Sequence, residues 1–176
     1  TTGIDVGDNT LVTVDDDLFQ MIANAAPGDI LLLEAGDYTA QTGTINLDKS
    51  ITIQGLRSYD KPRLKVNFLL LSGTANLSLI DLDLTSDVGT NSSVITISDT
   101  STDYGDILIS GCVIHDFERS LIAANKSASK VASFTVENSI VKNVNTNAGA
   151  DFIDFRSTYV GSVTLKTSTF ENCSIG

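Results

Sequence analysis

The chain of 176 residues holds only two prolines, two cysteines, one methionine and one histidine. It has no apolar run long enough to cross a membrane, no low-complexity tract and no linker, so it reads as one elongated domain without a membrane span. Helical periodicity is almost absent, which sets helical folds aside. Positive charge is also short. With 11 Lys and Arg against 22 Asp and Glu, the net charge of −11 excludes nucleic acid as a partner and disfavours unaided binding of strongly anionic polymers. Neutral ligands, cation-assisted binding or plain solubility fit that balance. The chain starts at Thr1 without methionine or signal peptide and is expected to be a processed or trimmed form.

What the chain does have is a repeat. Ile51-Thr52-Ile53, Leu77-Ser78-Leu79, Ile107-Leu108-Ile109, Phe134-Thr135-Val136 and Val163-Thr164-Leu165 share one short alternating pattern, and their first residues lie 26, 30, 27 and 29 positions apart. A period of that size means one supersecondary unit stacked on copies of itself. A second strand precedes each triplet: Ile45-Asn46-Leu47, Leu69-Leu70-Leu71, Ile95-Thr96-Ile97, Ile122-Ala123-Ala124 and Ile153-Asp154-Phe155. A third follows four of them, at Leu82-Asp83-Leu84, Cys112-Val113-Ile114, Ser139-Ile140-Val141 and Ser168-Thr169-Phe170. Three strands per turn define an all-β parallel β-helix of about five coils, each about 4.8 Å above the last, with three flat sheets. Gly111, Asn138 and Thr167 align in one bend and Asp116, Asn143 and Asn172 in the next, where Asn and Asp tolerate bend conformations.

The alternation predicts the interior columns Ile45, Leu69, Ile95, Ile122, Ile153 and Leu47, Leu71, Ile97, Ala124, Phe155, with Leu79, Ile109, Val136, Leu165 and Leu84, Ile114, Val141, Phe170 on the other walls. Thr52, Ser78, Leu108, Thr135 and Thr164 form an outward file; Leu108 interrupts it, so it is no ice-binding threonine array. Such a core needs covers at its ends. Residues 1–14 are a lead-in strand, and residues 15–26 a capping helix opened by Asp15-Asp16-Asp17, with Leu18, Met21, Ile22 and Ala25 at helical spacing and Pro27-Gly28 as the stop. Residues 27–176 are the coils. The three aspartates read as an N-cap and favourable charge at the helix start, with a calcium cluster as the alternative. No cover follows the fifth coil, where either a longer chain or another molecule is expected to close the end. Cys112 shares an inward column with Leu82, Ser139 and Ser168, whereas Cys173 shares that of Phe117 and Val144 about two coils higher. That separation of roughly 9–10 Å forbids a disulfide and predicts two free, buried thiols.

The stretch Ala25-Ala26-Pro27-Gly28-Asp29-Ile30-Leu31-Leu32-Leu33-Glu34-Ala35-Gly36-Asp37-Tyr38 resembles the opening of right-handed β-helices of the pectate-lyase-like superfamily related to chondroitinase B and alginate lyases, and Lys49-Ser50-Ile51-Thr52-Ile53-Gln54-Gly55 resembles the strand after it. The segments Gly111-Cys112-Val113-Ile114-His115-Asp116-Phe117 and Asp151-Phe152-Ile153-Asp154-Phe155-Arg156 are similar to a β-helix domain of unknown function in secreted and surface proteins of Bacteroidetes. The resemblance implies a right-handed, single-stranded parallel β-helix, an extracellular or cell-surface location and, in the lyases, cleavage of uronate polysaccharides by β-elimination with a Lys or Arg base and often calcium. No residue-by-residue match for those catalytic groups is found here, so none is assigned.

Two outward faces carry candidate chemistry. Asp154 and Arg156 lie two apart on one strand, with Asn125, Ser98, Ser72 and Asp48 stacked below Arg156, a flat polar strip suited to a sugar chain or, more blandly, a surface ion pair. The other is the file Thr85, His115, Lys142, Glu171 with Asp116 and Arg119 beside it, either an acid–base site or an ordinary cross-strand ladder. Three readings stand: a non-catalytic carbohydrate-binding or scaffold module that takes polysaccharide, a polysaccharide lyase using Lys142, Lys166 or Arg156 as base with calcium, and a structural subunit self-associating end to end through its open coil. No other cofactor is expected.

Overall fold

The computed structural model describes residues 8–71, 76–86, 91–147 and 149–174. In chain order the elements are β1 (Asn9–Val12), α1 (Leu18–Asn24), β2 (Ile30–Leu33), β3 (Asp37–Leu47), β4 (Ile51–Gly55), β5 (Arg63–Leu70), β6 (Leu77–Ile80), β7 (Asp83–Thr85), β8 (Ile95–Ile97) and β9 (Asp103–Ser110). They continue as β10 (Val113–Phe117), β11 (Ile122–Ala123), β12 (Ser129–Glu137), β13 (Ile140–Val144), β14 (Ile153–Asp154), β15 (Thr158–Lys166) and β16 (Thr169–Glu171). The result is an all-β parallel β-solenoid of about five turns with one short helix. No helix among the described residues is long and apolar enough to cross a membrane.

Two hydrogen-bonded sheets form the walls rather than three. One runs β1-β2-β4-β6-β9-β12-β15; the other runs β14-β11-β8-β5-β7-β10-β13-β16, with β3 also on β5. The second and third walls merge because β5 is long enough to serve both. Its Arg63–Lys65 half pairs with β7 and its Phe68–Leu70 half with β8.

Each coil repeats its inward residues in register. Leu79, Ile109 and Val136 are fully buried, as are Leu84, Ile114 and Val141. Two columns differ from the sequence expectation at one coil: Phe68 and Leu70, not Leu69 and Leu71, fill the interior beside Ile45 and Leu47. The alternation Leu64, Val66, Phe68, Leu70 sets the parity of the whole strand, and a slip of one residue turns every side chain over. Ile153 and Phe155 keep their columns but are only partly buried, since no described strand lies above them.

Bends are drawn where sequence placed them. Asp81, Asn138 and Thr167 have φ of 54°, 51° and 51°, and Gly111 shares their bend at 65°. Asp116, Asn143 and Asn172 have φ of 61°, 52° and 51°. At Gly111 a Cβ would sit 2.3 Å from Asp81 Oδ1, so a side chain there requires the Asp81 carboxylate to move.

The helix is shorter than the expected 15–26. Asp17 is its N-cap, its Oδ1 accepting from Gln20 N at 3.0 Å, and Ala25 is its C-cap. Leu18 and Ile22 close the core at this end. Gln41 locks the helix down: its Oε1 accepts from Leu18 N at 2.7 Å, and its Nε2 donates to Asp16 O at 2.8 Å. The lead-in strand survives as β1, paired with β2; residues 1–7 lie outside the described set. Both cysteines are free, as expected. Burial pushes the Cys112 thiol up to about 12. Cys173 is half-buried rather than buried, again because it belongs to the last coil.

Candidate functional site

The polar strip is assembled by the short strands β8, β11 and β14. Ile122 pairs with Ile95 and Ile153, and Ala123 with Thr96 and Asp154. Two residues further on, the same register stacks Ser98, Asn125 and Arg156. Below Ser98 the file holds Leu71, and Ser72 lies outside the described residues.

Geometry divides the four predicted residues into two kinds. Asn125 and Arg156 are exposed. Asp154 occupies an outward position, yet its side chain is only 8% exposed because Arg156 folds over it. Arg156 Nε donates to Asp154 Oδ1 at 3.0 Å and Nη2 to Oδ2 at 2.9 Å, while the Arg156 backbone N–H donates to Oδ1 at 3.1 Å. The guanidinium beside it holds the Asp154 carboxyl below the usual range, against the opposing pull of burial. Ser98 Oγ is buried and has no hydrogen-bond partner among the described residues, so its hydroxyl faces the protein and not a ligand.

Sequence reasoning missed Asp151. Its Oδ2 lies 3.1 Å from Arg156 Nε, with the side chain 40% exposed, so the guanidinium is matched by two carboxylates. Three charges within six residues were the available signal. The accessible surface of the strip is therefore Asn125, Arg156 and Asp151, carrying a formal −1 when Asp154 is counted, and rich in donors and acceptors fixed by a bidentate pair.

The second candidate keeps its predicted file: Thr85, His115, Lys142 and Glu171 are successive Cα partners. His115 Nδ1 is 2.6 Å from Asp116 Oδ2, and Nε2 is 2.9 Å from Asp83 Oδ1. Asp83 belongs to the neighbouring file one coil below, a diagonal contact invisible until the register is known. Partial burial pulls the imidazole pKa down, but the hydrogen bonds to both aspartates outweigh it and the net shift is upward. Arg119 sits in the loop after β10, its backbone bonded to Ser92 and Asn145, and no bond among the described residues joins it to His115.

The remaining bases are committed elsewhere. Lys142 Nζ lies 3.2 Å from Glu171 and Lys166 Nζ 2.8 Å from Glu137, both on exposed surface. For calcium, the Asp15–Asp17 segment is a poor fit. Asp16 Oδ2 accepts from Thr13 N at 2.7 Å and from Thr13 Oγ1 at 3.0 Å, and Asp17 caps the helix. No group of three His, Cys, Asp or Glu side chains among the described residues is placed to hold a metal ion.

Coil register, αL bends and a helical plug together define a parallel β-solenoid with one covered end. The chain belongs to the family described as a domain of unknown function, DUF4957, which matches residues 36–173. Among solved structures it is similar to the PL6 family alginate lyase AlyGC, with a TM-score of 0.65 and 19% identity over 97% of this chain and 29% of that one. An arginine-to-alanine mutant of the same lyase gives a TM-score of 0.65 and 19% identity, over 94% and 29%. This chain thus spans less than a third of the lyase's length, and at that identity the likeness is one of fold. A search of curated proteins finds no match.

Proposed function

We propose that this chain is a non-catalytic carbohydrate-binding module of a secreted or cell-surface protein, and that the face bearing Asn125, Arg156 and Asp151 contacts a neutral glycan. Ser98 and Asp154 support that face from beneath. The observation that carries the reading is the double pairing of Arg156, whose charge is spent on Asp154 and Asp151 while the guanidinium itself stays 66% exposed. A matched guanidinium offers directed N–H donors to hydroxyls but no surplus positive charge for a uronate carboxylate, and the net charge of −11 works in the same direction. The β-elimination chemistry of a lyase asks for more. It needs a proton acceptor next to a carboxylate and a cation or metal to stabilise the charge that develops. Lys142, Lys166 and Arg156 are each held by a carboxylate. The alginate-lyase fold neighbour adds support for a carbohydrate role.

Native affinity electrophoresis through gels containing laminarin, galactan, mannan or alginate tests this. Retardation by at least one neutral polysaccharide, lost in the Asn125→Ala/Asp151→Ala double variant, is the expected outcome. Equal retardation of the variant removes this face, and no retardation by any of the neutral polymers rejects the reading.

A further inference from the structure

The most extended side-chain network in the described chain lies away from the strip, on the wall built by β7, β10, β13 and β16. It runs Asp83–His115–Asp116–Asn143–Asn172. Asp83 sits on β7, His115 on β10, and Asp116 in the bend that ends β10 at φ 61°. The other oxygen of Asp116, Oδ1, accepts from Asn143 Nδ2 at 3.0 Å, and Asn143 Oδ1 accepts from Asn172 Nδ2 at 2.7 Å. Four successive coils are thereby joined by side chains alone.

We propose that His115 is a pH-sensitive latch between coils, closed when its ring carries both protons and opened when one is lost. The ring contacts carboxylate oxygens on both nitrogens, and an ionised carboxylate only accepts. Both nitrogens must therefore donate, which only the imidazolium can do. Removal of one proton turns either the 2.6 Å or the 2.9 Å contact into two facing acceptors, which must separate. If Asp116 is the one released, the Asn143 and Asn172 bends above it lose the anchor of their ladder.

The surrounding charges are mixed and do not replace the ring. Lys142 on β13 is the next residue up the file but lies against Glu171 of β16, and Arg63 on β5 is opposite Asp83 but lies 3.7 Å from Asp37. Lys65 on β5 is opposite Thr85, one position below His115 in the file. The upward shift of the imidazole pKa gives the direction of the switch. A group raised in the folded state stabilises it fully below the unfolded value of 6.5 and loses that contribution as pH rises through the folded value.

Because His115 is the only histidine, its ring signals are unambiguous in a nitrogen-15 NMR titration of the intact chain. The expected result is a midpoint above 6.5, with both nitrogens protonated on the acid side, and a lower midpoint in Asp116→Asn. Thermal unfolding of the wild type should fall across the same pH range, and that fall should be absent in His115→Gln. A wild-type midpoint at or below 6.5, or a single-proton tautomer on the acid side of neutrality, overturns the latch. So does an identical pH dependence of unfolding in His115→Gln.

Discussion

The two ends of the solenoid are built from the same kinds of residue and treat them differently. At the N-terminal end, Leu18 and Ile22 of α1 are buried in the core, and Tyr38 donates its hydroxyl hydrogen bond to backbone carbonyls of Val12 and Glu34, at 3.0 and 3.1 Å. At the other end the inward residues of the last described coil are open: Val163 is 44% exposed, Leu165 46% and Phe170 37%. One coil down, Phe134, Val136 and Val141 occupy the same columns with no exposure at all. Burial in a solenoid is a property of the neighbouring coils and not of the residue, so equal side chains in one column contribute unequally. The comparison also bears on assembly. At the N-terminal end the surface that another copy would meet is α1 and not a bare strand, among the described residues.

The difference is sharpest in truncation. Phe134→Ala should cost about 3–5 kcal/mol, whereas Leu165→Ala should cost under about 1 kcal/mol, measured as the shift in urea midpoint at constant slope. Comparable losses would mean that the last coil is covered in solution. A smaller effect of opposite sign is expected at the bend above Asn138. Thr167 holds a left-handed φ of 51°, a conformation unfavourable for a β-branched residue, so Thr167→Asn should gain about 0.5–1 kcal/mol, read from the same transition. No gain would show that the open end leaves that bend relaxed.

Most of the fold was legible because a repeat prints its columns several times over. The file Thr85–His115–Lys142–Glu171, the three-membered bends and the free cysteines all follow from aligning five coils. The parity of β5 was missed because Phe68-Leu69-Leu70-Leu71 is apolar throughout, although the polar Arg63, Lys65 and Asn67 alternating with Leu64, Val66 and Phe68 just before it carry the signal. Ile45 facing Phe68 decides it. The candidate strip was legible in its stacking and illegible in its access. That Arg156 bends back to bury Asp154, that Asp151 joins from the preceding loop, and that Ser98 Oγ turns inward depend on side-chain rotamers, which column arithmetic does not address.

The most direct test of the functional account is incubation of the chain with alginate and polygalacturonate, with and without calcium, following the ultraviolet absorbance of new carbon–carbon double bonds. A flat trace under both conditions is predicted by a face whose only cation is already matched. A steady rise that depends on this chain, above all one lost in Lys142→Ala, Lys166→Ala or Arg156→Ala, would make it a lyase and contradict the non-catalytic reading.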